Sequence, residues 1–211
     1  MKKLLIFDMD GVIFNSGAIA AKYIKERYPE ITKPEEQALL KGNFHEEFTK
    51  LKLLYPERIE TNEEVSARRL KYSQDKLQAP LYEGMKDLLI GLRKEGHPIT
   101  LNTSAANDNC IPLLKQNDIL RLFDFLATKE VSKSKVEKFL MIQEKYGVET
   151  KEILFITDTL GDVREANLAD IPTVAVTWGA HDRDYFTQEE NKNLIGIIDS
   201  VSELKSFIGA Y

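Results

Sequence analysis

Short apolar runs, many of them β-branched, alternate along the chain with amphipathic segments of helical length, and this alternation strongly limits how the chain can fold. The segments at 85–96 and 135–147, for example, place apolar residues at three- and four-residue spacing and end at Gly96 and Gly147. Strands that alternate with helices in this way predict a parallel sheet covered by helices. We expect strands within 4–7, 98–103, 123–127, 152–157, 173–177 and 195–199.

Residues 16–80 interrupt the alternation. This range lacks a convincing strand pattern and is rich in Glu, Lys, Ala and Leu. We therefore predict an α/β fold with two parts. Residues 1–15 and 81–211 form a Rossmann-like, three-layer core with a parallel sheet, and residues 16–80 form an inserted, all-helical cap domain.

The composition restricts the partners and the compartment. Hydrophobic residues make up 43% of the 211 residues and charged residues 30%, which is typical of a globular protein with a real core. The net charge of −5 gives no general attraction for nucleic acid or an anionic membrane. Asp8 and Asp10 break the first apolar run too early for a secretory signal, no run is long enough to span a membrane, and Cys110 is the only cysteine. We expect a cytoplasmic monomer or small homo-oligomer.

Acidic side chains follow two of the predicted strands. Asp8 and Asp10 end the run at 4–7, and Asp158 and Asp162 follow the run at 152–157. Because ligands of an open parallel sheet bind beyond the carboxyl ends of its strands, these side chains are expected at one edge. Carboxylate oxygens of this kind suit Mg²⁺. The sequence therefore predicts a Mg²⁺ site at this edge.

Hydroxyl and ammonium groups are predicted to reach the same edge. Thr103 and Ser104 follow the second strand, and Lys133 and Lys135 lie just before or at the start of a helix. Each motif alone has a simpler interpretation, since Asp162 or Thr103 would also suit a helix N-cap. Their convergence at one sheet edge favours a functional site.

These motifs resemble those of the haloacid dehalogenase superfamily of phosphohydrolases, and the resemblance covers nearly the whole chain. FDMDGVIFNS (7–16) is similar to the nucleophile loop of that superfamily, LNTSAAN (101–107) to its second motif and TDTLGD (157–162) to its acidic fourth motif. Lys133 fits the third motif, with Lys135 left as an alternative. The helical insert resembles the cap of phosphoglycolate phosphatases and β-phosphoglucomutases.

The resemblance implies a role for each motif. Asp8 would be the nucleophile that forms an aspartyl-phosphate, and Asp10 would act as general acid and then as general base. The metal would be Mg²⁺, and the substrate a small organic phosphomonoester, with phosphoglycolate as a named candidate. The metal site would comprise Asp8, Asp10, Asp158 and Asp162; phosphate binding would involve Thr103, Ser104 and Lys133; and substrate specificity would come from Lys41, Gly42, Asn43, Phe44 and His45.

Some residues depart from the superfamily pattern and leave alternatives open. Thr157 stands where glycine is usual, and Ala105 and Ala106 stand where relatives often carry Lys or Arg. A phosphomutase of the β-phosphoglucomutase type and a phosphate-binding protein without catalysis remain alternatives to a phosphatase. Whether His45 and His181 contact substrate is also open.

Overall fold

The computed structural model describes residues 2–55, 60–188 and 190–211. Within these residues six strands form one parallel sheet in the order β3-β2-β1-β4-β5-β6. The strands are β1 (Leu4–Phe7), β2 (Ile99–Asn102), β3 (Phe125–Ala127), β4 (Ile153–Thr157), β5 (Thr173–Val176) and β6 (Leu194–Ile198). The first five each lie within a run that the sequence predicts to be a strand, and β6 begins one residue before the run predicted at 195–199.

Helices connect the strands and cover the sheet. They are α1 (Gly17–Arg27), α2 (Lys33–Ala38), α3 (Phe44–Leu54), α4 (Asn62–Lys76), α5 (Met85–Lys94), α6 (Asn107–Gln116), α7 (Lys135–Tyr146), α8 (Leu160–Leu168), α9 (Arg183–Thr187) and α10 (Val201–Ala210). Two short 3₁₀ turns lie at Leu120–Leu122 and Thr150–Glu152. Among the described residues, no helix is both long and apolar enough to cross a membrane.

Two apolar cores lie on opposite faces of the sheet. Alternate side chains of a strand point to opposite faces, so Leu5 and Phe7 join one core while Leu4 and Ile6 join the other. Helices α5, α6 and α10 cover the first face, and α7 and α8 cover the second. This confirms the three-layer α/β fold. Cys110 is fully buried in the first core, as its position on an amphipathic helix suggests.

The helical insert has a small core of its own. Helices α1 to α4 lie within residues 17–54 and 62–76, and the described residues 16–55 and 60–80 contain no strand. The insert's buried cluster consists of Ile24, Tyr28, Ile31, Leu39 and Leu51. The helical content agrees with the sequence, although residues 56–59 of the predicted cap lie outside the described residues. The division into a core and a cap domain stays a prediction.

The strand order determines where a ligand can bind. β1 pairs with both β2 and β4, and the order of the strands along the chain reverses between β1 and β4. In doubly wound sheets this switch point opens a crevice at the carboxyl ends of the strands. The loops that follow β1 and β4 therefore border the expected ligand crevice.

Candidate active site

Asp8 and Asp158 lie side by side at the switch point. Phe7 of β1 pairs with Ile156 of β4, and the Asp8 amide donates to the Ile156 carbonyl at 2.9 Å. Asp8 is 6% exposed and Asp158 is 2% exposed. Burial, with a smaller contribution from Asp162, raises the pKa of Asp8 to about 6, although Lys135 opposes the rise. Burial and then the charge of Asp8 raise the pKa of Asp158 well above its usual value. The pair needs a compensating cation to stay ionised.

Lys135 supplies part of that positive charge. Its ammonium lies 2.9 Å from Asp8 Oδ1 and also donates to Asp162. Burial alone lowers the pKa of Lys135, but Asp162 and Asp8 outweigh burial and raise the pKa above its usual value. The Thr157 hydroxyl donates to Asp162 at 2.6 Å, so this departure from the superfamily pattern helps to orient the acidic side chain.

Lys135, and not Lys133, is buried beside the acidic side chains. The Ser134 hydroxyl caps helix α7 by accepting from the Glu137 amide, so the helix begins at Lys135. Lys135 is 2% exposed and faces the acidic loops, whereas Lys133 precedes the helix and is exposed. Lys135, the alternative that the sequence leaves open, is therefore the lysine that contacts the acidic side chains.

Asp10 contacts a lysine that sequence reasoning missed. Asp10 Oδ1 accepts from the Lys76 ammonium and from the Ser16 hydroxyl. Lys76 is the last residue of α4 in the helical insert and is 2% exposed. Burial lowers the pKa of Lys76, but Asp10 contributes to a net rise. No local motif marks Lys76, because its role depends on how the insert packs against the nucleophile loop.

The loop after β2 is held by a second buried lysine. The Thr103 amide donates to the Ala127 carbonyl at 3.0 Å, and its hydroxyl accepts from the Ala105 amide at 3.1 Å. The Lys138 ammonium donates to the Thr103 carbonyl at 2.8 Å. Lys138 is fully buried, and burial followed by the charge of Lys135 lowers its pKa to about 8. Ser104 follows Thr103 and is partly exposed. Thr103 is thus fixed at the end of β2.

The predicted specificity residues belong to a segment that we call the insert loop, residues 40–45. Gly42 lies against Gly161, where a Cβ atom at Gly161 would be 2.2 Å from the Gly42 carbonyl oxygen. Asn43 caps α3 and contacts the core, the Lys41 ammonium lies 5.0 Å from the centre of the Tyr185 ring, and the Phe44 ring stacks on Phe48. The loop therefore lies beside the acidic fourth motif.

His45 of the insert loop faces a positively charged region. Its Nε2 atom is buried and has no hydrogen-bond partner among the described residues. Burial, and then Lys129 and Lys138, lower the pKa of His45 to about 4. The ring is therefore neutral near pH 7, and its surroundings favour an anion.

His181 and Trp178 have structural contacts. His181 Nδ1 accepts from the Leu160 amide at 3.0 Å, and its ring stacks on Tyr185 at 4.3 Å. Burial lowers the pKa of His181 to about 4, which keeps the ring neutral and able to accept this bond. The Trp178 indole donates to the Val12 carbonyl at 3.2 Å. These residues support the loops around the site.

The acidic residues fit a metal ion in part. Asp158 Oδ2 accepts from the Ala180 amide at 2.8 Å, while Oδ1 is buried and has no partner among the described residues. Gly11 approaches this carboxylate closely, because a Cβ there would lie 1.8 Å from Asp158 Oδ2. Within the described residues, no three His, Cys, Asp or Glu side chains form a metal cluster by themselves. Mg²⁺ nevertheless keeps waters and takes few carboxylates, so Asp8, Asp158 and a backbone carbonyl suit it. The Asp162 carboxylate is already engaged by Lys135 and Thr157.

Comparison with protein families places these motifs in a known context. A statistical model described as haloacid dehalogenase-like hydrolase matches residues 5–176, which include the acidic loops, Thr103 and Lys135. The chain belongs to the haloacid dehalogenase-like hydrolase family. The match spans most of the chain and agrees with the resemblance carried by the sequence motifs.

Two curated relatives of this hydrolase are phosphoglycolate phosphatases by name. The phosphoglycolate phosphatase of Escherichia coli K12 is 28% identical over 102 residues, which cover 47% of this chain and 40% of the relative. The probable phosphoglycolate phosphatase of Pseudomonas putida is 31% identical over 111 residues, which cover 51% of this chain and 44% of the relative. The chain thus covers less than half the length of these relatives.

Solved structures share the fold over the full chain. A predicted phosphatase from Clostridium acetobutylicum has a TM-score of 0.78, 18% identity and 100% coverage of both chains. A predicted phosphoglycolate phosphatase from Haemophilus somnus has a TM-score of 0.74 and 21% identity, and covers 98% of this chain and 97% of its own. A putative β-phosphoglucomutase from Thermotoga maritima has a TM-score of 0.73, 15% identity and 100% coverage of both chains. At these identities the similarity shows the fold of this hydrolase family.

Proposed function

We propose that this chain is a Mg²⁺-dependent phosphatase that hydrolyses a small organic phosphomonoester through an aspartyl-phosphate on Asp8. The observation that carries the proposal is the contact of the Lys135 ammonium with Asp8, at 2.9 Å, in a buried site. A cation beside a buried carboxylate keeps the carboxylate ionised and can also neutralise a phosphoryl group that approaches it.

In the first step a carboxylate oxygen of Asp8 attacks phosphorus and the ester P–O bond breaks. Asp10 gives its proton to the leaving oxygen, so the product is a neutral alcohol. Lys135 and the Thr103 hydroxyl stabilise the charge on the phosphoryl oxygens. The Lys76 and Ser16 contacts hold the Asp10 carboxyl in one orientation for this transfer.

In the second step water hydrolyses the aspartyl-phosphate. Asp10, now ionised, takes a proton from the water, whose oxygen attacks phosphorus, and the bond to the Asp8 oxygen breaks. Inorganic phosphate leaves, and both aspartates return to their starting states. One residue thus serves as acid and then as base, which fits a single carboxyl group two residues after the nucleophile.

Mg²⁺ would be held by Asp8, Asp158 and the backbone carbonyl of Asp10. The buried, unpartnered Asp158 Oδ1 supports this assignment, and Asp162 would act on Lys135 rather than as a direct ligand. When bound, the ion supplies positive charge that offsets the crowded carboxylates and the phosphate.

We further propose that the helical insert is a cap that limits the substrate to a small molecule. Its insert loop lies against the fourth motif, and its Lys76 contacts Asp10. A cover of this kind excludes water and large substrates alike.

Phosphoglycolate is the named candidate substrate. The names of the curated relatives favour it. Lys129 and Lys138, which lower the pKa of His45, supply positive charge near the insert loop, and that charge suits the carboxylate of a substrate.

A metabolite phosphatase panel tests this function. We expect Mg²⁺-dependent release of phosphate that a chelator abolishes, and a preference for phosphoglycolate over ethyl phosphate, which lacks the carboxylate. His45→Ala is expected to reduce that preference. Conversion of a sugar phosphate to its isomer without phosphate release would instead indicate a mutase, and absence of any turnover with binding retained would indicate a phosphate-binding protein.

A further inference from the structure

The insert loop is seated on the first turns of α8. The Gly161 amide donates to the Leu40 carbonyl at 3.0 Å, and the Arg164 guanidinium donates to the Lys41 carbonyl. Gly161 also lies so close to Gly42 that a Cβ atom would not fit between them. The loop and the helix are therefore held by backbone contacts as well as by side chains.

Asn43 and Glu165 connect this seat to the catalytic lysine. Asn43 Nδ2 donates to Glu165 Oε1 at 2.9 Å, and the Lys135 amide donates to the same oxygen at 2.8 Å. Lys135 is the first residue of α7, so its amide has no acceptor within its own helix. One carboxylate oxygen thus joins the insert loop to the helix start that carries the Lys135 ammonium.

The orientation of Asn43 is fixed from both sides. Its Oδ1 accepts from the His45 and Glu46 amides and so caps α3, while its Nδ2 faces Glu165 and the Lys133 carbonyl. The donor that reaches Glu165 is therefore delivered only when α3 begins where it does, against the core. Withdrawal of the insert loop would remove this donor and leave the Lys135 amide as the remaining described donor to Glu165.

Glu165 is sensitive to that loss because it is buried. It is 8% exposed, and burial followed by the charge of Asp162 raises its pKa. A buried carboxylate that loses a hydrogen bond pays a desolvation cost or draws in water. Either response changes the surroundings of the first turn of α7.

We propose that Glu165 is a positioning residue that couples the seating of the insert loop, through Asn43, to the placement of Lys135 against Asp8. The coupling rests on the proposed function only in its catalytic consequence, because the hydrogen-bond chain exists independently of the reaction. When the insert loop binds against α8, Lys135 is then positioned against Asp8 for phosphoryl transfer.

The test uses the full chain and a double-mutant cycle. Asn43→Ser keeps an N-cap residue for α3 but cannot reach Glu165, and Glu165→Ala removes the acceptor. Glu165→Gln keeps an acceptor oxygen, and Glu137→Ala is the matched control, because it removes a carboxylate from the first turn of the same helix without touching the insert loop. Glu165→Met, which fills the volume, replaces Glu165→Ala if the alanine variant does not fold.

The first readout is hydrogen exchange at the Lys135 amide. We expect Asn43→Ser to speed exchange there about tenfold although Asn43 does not contact that amide, and to have no such effect when Glu165 is already replaced. Unchanged exchange in Asn43→Ser, or equal effects with and without Glu165, overturns the coupling. This readout does not depend on any substrate.

The second readout is steady-state turnover. We expect Asn43→Ser and Glu165→Ala each to lower kcat about tenfold with little change in KM. The kcat of the double variant should be no lower than that of the slower single variant. The kcat values of Glu165→Gln and Glu137→Ala should stay within about twofold of the wild type. The positioning role is contradicted if the kcat loss of the double variant equals the product of the two single losses, or if the single variants change only KM. Wild-type protein without phosphatase activity but with the exchange coupling refutes the proposed function and leaves the coupling standing.

Discussion

The ammonium of Lys135 lies 2.9 Å from Asp8 Oδ1, whereas Lys133, two residues earlier, is exposed. Substitution of each lysine in turn therefore compares a buried site lysine with an exposed neighbour. Lys135→Met is expected to lower kcat about a hundredfold to a thousandfold, because it removes a buried charge beside the transferring phosphoryl group. Lys133→Met is expected to leave kcat within about twofold, as is usual for an exposed surface charge. Phosphate release by the purified variants measures both, and a larger loss at Lys133 would instead indicate Lys133 as the phosphate-binding lysine.

Lys76→Met is expected to slow the protonation of the leaving group, because Asp10 loses a contact that holds its carboxyl group in one orientation. In single-turnover measurements, the rate of the first step should fall about tenfold with an alkyl phosphate and less with p-nitrophenyl phosphate, whose leaving group needs little protonation. Lys22→Met is the matched control in the same insert, since Lys22 pairs with Asp75 at the surface. Equal losses with both substrates would argue that Lys76 serves folding rather than acid catalysis.

Gly11→Ala is expected to abolish turnover and destabilise the chain. Gly11 has φ of 75°, and an added Cβ would lie 1.8 Å from Asp158 Oδ2. By contrast, Gly91 lies within α5 with nothing within 4 Å of its Cβ position, so Gly91→Ala should stabilise the chain by about 0.5 to 1 kcal/mol. Thermal unfolding and phosphate release distinguish the two. An active Gly11→Ala variant would contradict the close approach of the nucleophile loop to Asp158.

The buried Lys138 predicts a dependence of stability on pH. Its pKa in the folded chain is lowered from 10.5 to about 8 by burial and then by Lys135. Between these values the unfolded chain holds more protons, so the free energy of unfolding rises with pH in this window and not below it. Relative to Lys138→Met, the wild type should gain about 2 kcal/mol between roughly pH 8 and pH 10. Lys145→Met, at an exposed position on the same helix, is the control, and parallel profiles for wild type and Lys138→Met would contradict the prediction.

Much of the fold was predictable because local patterns determine it. The apolar runs and helical spacings identified every strand of the described sheet, and strand ends identified Asp8, Asp158 and Thr103. The sequence predicts a helix from residue 135 but leaves the choice between Lys133 and Lys135 open, because which lysine reaches Asp8 and Asp162 depends on how α7 packs against the loops after β1 and β4.

Other site residues were missed for physical reasons that differ. Lys138 lies three residues after Lys135, and Glu165 lies three residues after Asp162. Helical spacing therefore places each on the same helix face as a predicted site residue, and this spacing is a signal that could have found both. Lys76 had no such signal, because only the packing of the helical insert brings it to Asp10.

The central claim is covalent catalysis through Asp8, and the most direct measurement is the mass of the protein quenched in acid during turnover of a phosphomonoester with Mg²⁺. We predict that the wild type carries one phosphoryl group on the peptide that contains Asp8 and releases phosphate. Asp8→Asn should carry none and release none, because an amide is not a nucleophile for this reaction. Substantial phosphate release by Asp8→Asn, or a phosphoryl group on a different residue of the wild type, would contradict the account.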